Sequence, residues 1–112
     1  MYDRLATTVH QPCAMERKSN KPIRELLGFY GLRTSLIRLK VIDALLVAAR
    51  EGRTIGVNGT HAWLVSSAVE CSFISVREVL KRLCEERVID YREDKSYSFT
   101  AEAWAILMST SG

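Results

Sequence analysis

Apolar residues recur along this chain at the spacing of an amphipathic helix, then switch to short β-prone runs near its end. Ile23, Leu26, Leu27 and Tyr30 fall at i, i+3, i+4 and i+7 and predict a first helix. Pro22 suits its first position, Asn20 is an available cap, and Gly31 ends it. A second helix, capped by Thr34 or Ser35, carries Leu39, Ile42, Leu45, Leu46 and Ala49 and stops at Glu51-Gly52-Arg53. Gly52, Gly56 and Gly59 then mark a loop, with a short extended piece over 54–57. Asn58 or Thr60 starts a third helix through Ala62, Leu64, Val65 and Ala68. The cleanest stripe is Val76, Val79, Leu80 and Leu83, in a fourth helix that begins at Ser72 or Ser75. Ser75 and Glu78 have the spacing of a capping box. Beyond Arg87 the period shortens. Residues 88–92 and 96–100, rich in Val, Ile, Tyr, Phe and Thr, flank the polar turn Glu93-Asp94-Lys95 and predict a hairpin. Thr100 caps a closing helix through Trp104, Ile106, Leu107 and Met108.

The expected fold is therefore mainly α with a small β-hairpin. A helix pair followed directly by a hairpin is the order of a winged helix-turn-helix. Residues 1–20 show no clean period and predict an N-terminal tail or arm; residues 21–112 predict one winged-helix domain with a closing helix. A length of 112 residues suits one core rather than two.

Composition narrows the function classes. The hydrophobic share of 47% and charged share of 26% are those of an ordinary globular domain. The net charge is only +3, but it is unevenly spread: residues 1–50 balance at +5 and residues 51–112 at −2. Concentrated positive charge suits phosphate partners, although neighbouring segments of this length commonly differ as much. There is no long apolar run and no signal-peptide pattern, so the expectation is a soluble cytoplasmic protein without a membrane partner. Cys13, Cys71 and Cys84 form no close pair; Cys71 and Cys84 read as small apolar residues, and the role of Cys13 is open.

Buried positions on the fourth helix leave Ser75, Arg77, Glu78 and Lys81 as candidates for base edges in a major groove, with Arg82 aimed at phosphate. A solvated charge-alternating surface is the competing account of that face, and Glu78 is better explained by capping. Arg33, Thr34, Ser35 and Arg38 gather at the start of the second helix, where free N–H groups and hydroxyls suit a phosphate, or simply cap the helix. In the hairpin, Arg92 and Lys95 are candidates for backbone contact, opposed by Glu93 and Asp94. The closing segment holds more apolar surface than one helix side needs, so Trp104, Leu107 and Met108 either pack on the domain or form a homodimer interface.

Catalysis finds no support. His10 and His61 are far apart, and no HExxH, P-loop or GxSxG occurs, so no enzyme, cofactor or metal site is expected.

The run from Tyr30 to Ile42, with Gly31, Leu32 and Thr34 ahead of the second helix, resembles the opening of the ferric uptake regulator family. Ile74 to Leu83 is similar to that family's recognition helix, with Arg77 where the family has tyrosine and Glu78 where arginine follows it. The resemblance covers about residues 21–100 and implies DNA reading at these positions, while the departures at Arg77 and Glu78 leave the operator open. The family continues into a dimerisation domain rich in metal ligands. This sequence has two histidines and no cysteine pair, so no regulatory metal is expected.

Two readings follow. One is a DNA-binding transcriptional regulator that engages double-stranded DNA as a homodimer. The other is a winged-helix protein–protein interaction module or adaptor, favoured by Glu78, Glu85, Glu86, Glu93 and Asp94 near the same face.

Overall fold

In the computed structural model, which describes the backbone over residues 10–110 and side chains over 20–109, five helices surround one apolar core and a hairpin precedes the last of them. The elements are α1 (His10–Phe29), α2 (Leu36–Arg50), α3 (Val57–Ser66), α4 (Phe73–Glu85), β1 (Ile89–Tyr91), β2 (Tyr97–Phe99) and α5 (Ala101–Thr110). The chain is thus mainly helical with a small antiparallel hairpin.

Helix α1 corrects one expectation. It starts at His10, so Pro22 lies inside it rather than at its first position, and the second half of the supposed arm is helical. Proline's fixed φ is compatible with a helix; its costs are one missing N–H and a ring that crowds the carbonyl four residues back. Here that residue is buried beside Ile23, Leu26 and Leu27, which supply the packing. Residues 1–9 and Cys13's side chain lie outside what is described.

Helix α2 begins where expected. Ser35 is its N-cap and its hydroxyl accepts from Arg38 N at 3.2 Å. Leu39, Ile42, Leu45 and Leu46 are buried, joined by Val41, Ala44 and Ala48, so the helix runs through the centre of the core.

Helix α3 departs more. Its N-cap is Gly56, which has no side chain to offer, rather than Asn58 or Thr60. Thr60 is fully buried and bonds back, its hydroxyl donating to the Gly56 carbonyl at 2.8 Å. Only Leu64 of the expected stripe is buried; Ala62 and Val65 are exposed, and Ala68 lies past the helix end. A ten-residue helix this short is held by its neighbours rather than by its own pattern.

For α4 the cap is Ser72, not Ser75. Its hydroxyl accepts from Ser75 N at 3.0 Å, which makes Ser75 the third helical residue and removes Glu78 from any capping role. The stripe itself is as expected: Val76, Leu80 and Leu83 are buried, Val79 half-buried.

The hairpin pairs Ile89 with Phe99, Asp90 with Ser98, and Tyr91 with Tyr97. Ile55 adds a single antiparallel bridge to Tyr97, whose N–H donates to the Ile55 carbonyl at 2.9 Å. The extended piece expected over 54–57 thus forms a one-residue third strand. Thr54 and Ser96 hydroxyls, 2.8 Å apart, reinforce it. Gly56 passes so close to the ribbon that a Cβ there would sit 2.5 Å from the Lys95 carbonyl oxygen.

Thr100 caps α5, its hydroxyl accepting from Ala103 N at 3.2 Å. Ala103 and Leu107 are fully buried, so α5 closes the core that α1 opens.

Candidate functional site

The exposed side of α4 carries Ser75, Arg77, Glu78, Lys81, Arg82 and Glu85. All four residues expected at base edges therefore face solvent on one helix, because Val76, Leu80 and Leu83 take the opposite side. Phe73 and Ile74, at the very start of α4, are also exposed, Ile74 by 69%. The helical pattern offered no hint of these two, since apolar residues at a helix start read as core.

Beside this face runs an open groove of about 430 Å³ between the start of α2 and the length of α4, lined by Arg38, Glu78, Val79, Lys81, Arg82 and Glu85. Arg38 is the half-buried cation among them. Its Nη1 donates to the Arg33 carbonyl at 2.6 Å, while its Nε is buried and has no hydrogen-bond partner. A buried charged donor without an acceptor costs about 1–3 kcal/mol or more, so this atom favours an anion close by. Arg82 is partly engaged, its Nε on Glu86 at 3.1 Å, but both partners are solvent-exposed enough for that pair to be worth well under about 1 kcal/mol. Three cations and two carboxylates thus share the groove. Arg33 and Thr34 are exposed next to it, and Ser35 is committed to capping.

The hairpin stands beside α4. Tyr97 is half-buried, and its phenol is pushed above its ordinary value first by burial, then by Cys84 of α4 and by Tyr91; the charge of Arg77 on α4 pulls the other way. Arg92 and Lys95 are exposed at the turn. Asp94, between them, is held below the usual carboxylate range by the Ser96 hydroxyl and the Ser96 N–H, with Arg92 adding to the effect. Its charge is therefore spent on the turn as much as on any partner.

Of the residues expected at a dimer interface, Leu107 has no exposed surface and belongs to the core. Trp104 and Met108 are half-buried. His61 approaches the Cys71 carbonyl at 3.3 Å and meets Phe73 edge-on, bracing the turn into α4. Cys71 and Cys84 are half-buried free thiols packed on the core, and burial pushes the Cys84 thiol up. Among the described residues no group of His, Cys, Asp and Glu is placed to hold a metal, and no helix is long and apolar enough to cross a membrane.

Neither curated proteins nor solved structures supply a match to this chain. A family model does match, over residues 18–111, which span every element from the middle of α1 through α5. The chain belongs to the family described as Uncharacterised conserved protein UCP029502.

Proposed function

We propose that this protein is a DNA-binding transcriptional regulator built as a winged helix, with α4 as the helix that enters the major groove and the hairpin as the wing. The observation that carries the reading is the groove at α4. Arg38, Lys81 and Arg82 converge there, and the buried Nε of Arg38 has no acceptor of its own. The capped N-terminus of α2 adds its positive end nearby. A DNA phosphate seated there would meet the exposed charges of Lys81 and Arg82 beside Arg38 and dock α4 beside the backbone. Arg77 and Lys81 would then reach base edges, with Ser75 and Glu78 flanking them. Support also comes from the ribbon: the bridge between Ile55 and Tyr97 gives the order helix, short strand, helix, helix, hairpin. The resemblance to the DNA-reading part of ferric uptake regulators belongs to this reading, and no catalytic role is part of it.

The test is a polarisation titration with labelled duplex DNA at two salt concentrations, roughly 50 and 200 mM. Affinity should fall steeply with salt, and Arg38→Met should lower the log–log slope by about one. Binding that is absent, or indifferent to salt, would sink the proposal.

A second reading has its own observation. Exposed Phe73 and Ile74 at the start of α4, with Glu78 one turn on, suit a protein partner better than a phosphate backbone. A protein-docking domain would show no DNA binding in the same titration.

A further inference from the structure

A second hollow, of about 200 Å³, lies at the meeting of α2, the connection after it, β2 and α5, and shares no lining residue with the groove at α4. Leu45 and Ala49 contribute from α2, Phe99 from β2 and Trp104 from α5, with Arg53 from the connection. Phe99 and Trp104 stand 6.1 Å apart between ring centroids, tilted by 36°, and neither is fully buried. Two large aromatic residues with uncovered surface over an apolar floor form a site that a flat ring can complete.

Arg53 supplies the charge. Its side chain is 54% exposed and is bound from one side by Glu51, which takes Nε and Nη2. The Nη1 edge of the guanidinium is left for another acceptor, and a planar guanidinium matches a carboxylate. Size sets the class. An apolar cavity of ~150 Å³ holds one benzene ring, so this hollow has room to seat a single ring with one small substituent.

We propose that this hollow binds a small planar aromatic carboxylate, with its ring against Phe99 and Trp104 and its carboxylate on Arg53. The site adjoins the attachment of the hairpin: Thr54 also lines it, and Thr54 is hydrogen-bonded to Ser96. A bound ring therefore packs against the segment that fixes the ribbon to α2. The binding claim does not depend on the DNA reading and can fail or succeed separately.

The experiment is a titration of the ¹⁵N-labelled full chain with sodium benzoate, followed by amide and indole chemical shifts. Saturable shifts centred on Ala49, Arg53, Phe99 and the Trp104 indole are expected. Benzyl alcohol, which lacks the carboxylate, should bind about tenfold more weakly, and Arg53→Met should weaken benzoate by a similar factor. Ala49→Leu, which fills the hollow, should abolish the response while the remaining amide spectrum stays folded. Arg53 is exposed, so its variant keeps the test decisive even if Ala49→Leu fails to fold. Shifts that do not saturate or that map elsewhere overturn the proposal. So does equal affinity for the alcohol, or benzoate binding that Arg53→Met leaves unchanged.

Discussion

Tyr30, in the turn after α1, donates its phenolic hydrogen to Glu102 Oε1 in the first turn of α5, 2.9 Å away. The bond ties the two helices that bracket the core at its outer edge. Burial, then this bond, raises the Tyr30 phenol above its ordinary 10.0. Tyr97 is raised from the same value, and Cys84 from 9.0, both chiefly by burial. All three are neutral when protonated, so the fold holds these protons more tightly than the unfolded chain does. Their contribution to stability is complete below about pH 9 and is lost as pH rises through the folded values. Urea midpoints measured from pH 7 to 11 should fall at the alkaline end. Tyr30→Phe should cost about 0.5–1.5 kcal/mol at pH 7 and flatten that alkaline loss.

The turn of the hairpin should respond at the other end of the scale. Asp94 is held below 3.8 by the Ser96 hydroxyl and N–H, so its contribution is present above that value and is lost as pH falls through the lower folded one. Asp94→Asn should remove part of the acid sensitivity of the hairpin, read as amide exchange at Ser96 and Tyr97 between pH 5 and 3.

Ser72 and Ser75 make a discriminating pair. Ser72→Ala removes the cap of α4 and should cost about 1 kcal/mol, whereas Ser75→Ala leaves the backbone bond to Ser72 in place and should cost far less. Thermal midpoints of the two variants check this; equal losses would return the cap to Ser75.

Two glycines should behave in opposite ways. Gly56→Ala drives a Cβ into the Lys95 carbonyl oxygen and should destabilise by about 1–3 kcal/mol, with shifts in the ribbon. Gly28→Ala, helical and with nothing within 4 Å of the new methyl group, should stabilise by up to about 1 kcal/mol. Calorimetric scans of both variants against wild type give the sign of each.

Helix ends explain why some boundaries could be read in the sequence and others could not. All of α1 to α4 stop in the same way, with a residue at positive φ followed by an N–H that bonds back five residues. In α1 and α2 that residue is Gly31 and Gly52, and the sequence announces the stop. In α3 and α4 it is Ala68 and Arg87, which carry no such signal, so the pattern through Ala68 overruns the observed end at Ser66. Ala68→Gly should therefore relieve strain and gain about 1 kcal/mol, visible as a Tm raised by several degrees.

The buried stripes of α1, α2 and α4 were legible because apolar residues at helical spacing leave few other ways to pack. The start of α3 was not, because Gly56 caps it through backbone alone and was chosen by its distance from the ribbon. For the candidate site, the sequence identified the exposed face of α4 and the basic residues at α2. It could not show that Arg38 is half-buried beside Lys81 and Arg82, since that depends on how two helices separated by α3 come together. Phe73 and Ile74 escaped for the same reason: only the packing decides that a helix start projects outward.

The absence of a side chain at position 56 has a mechanical outcome. With hydrogen the only group that fits between the first turn of α3 and the ribbon's tip, the two surfaces meet backbone to backbone. A load applied to the tip, such as a partner pressing on Lys95, would be passed straight into α3 and on to the turn that launches α4. Amides of Val57 to Thr60 would register such an encounter.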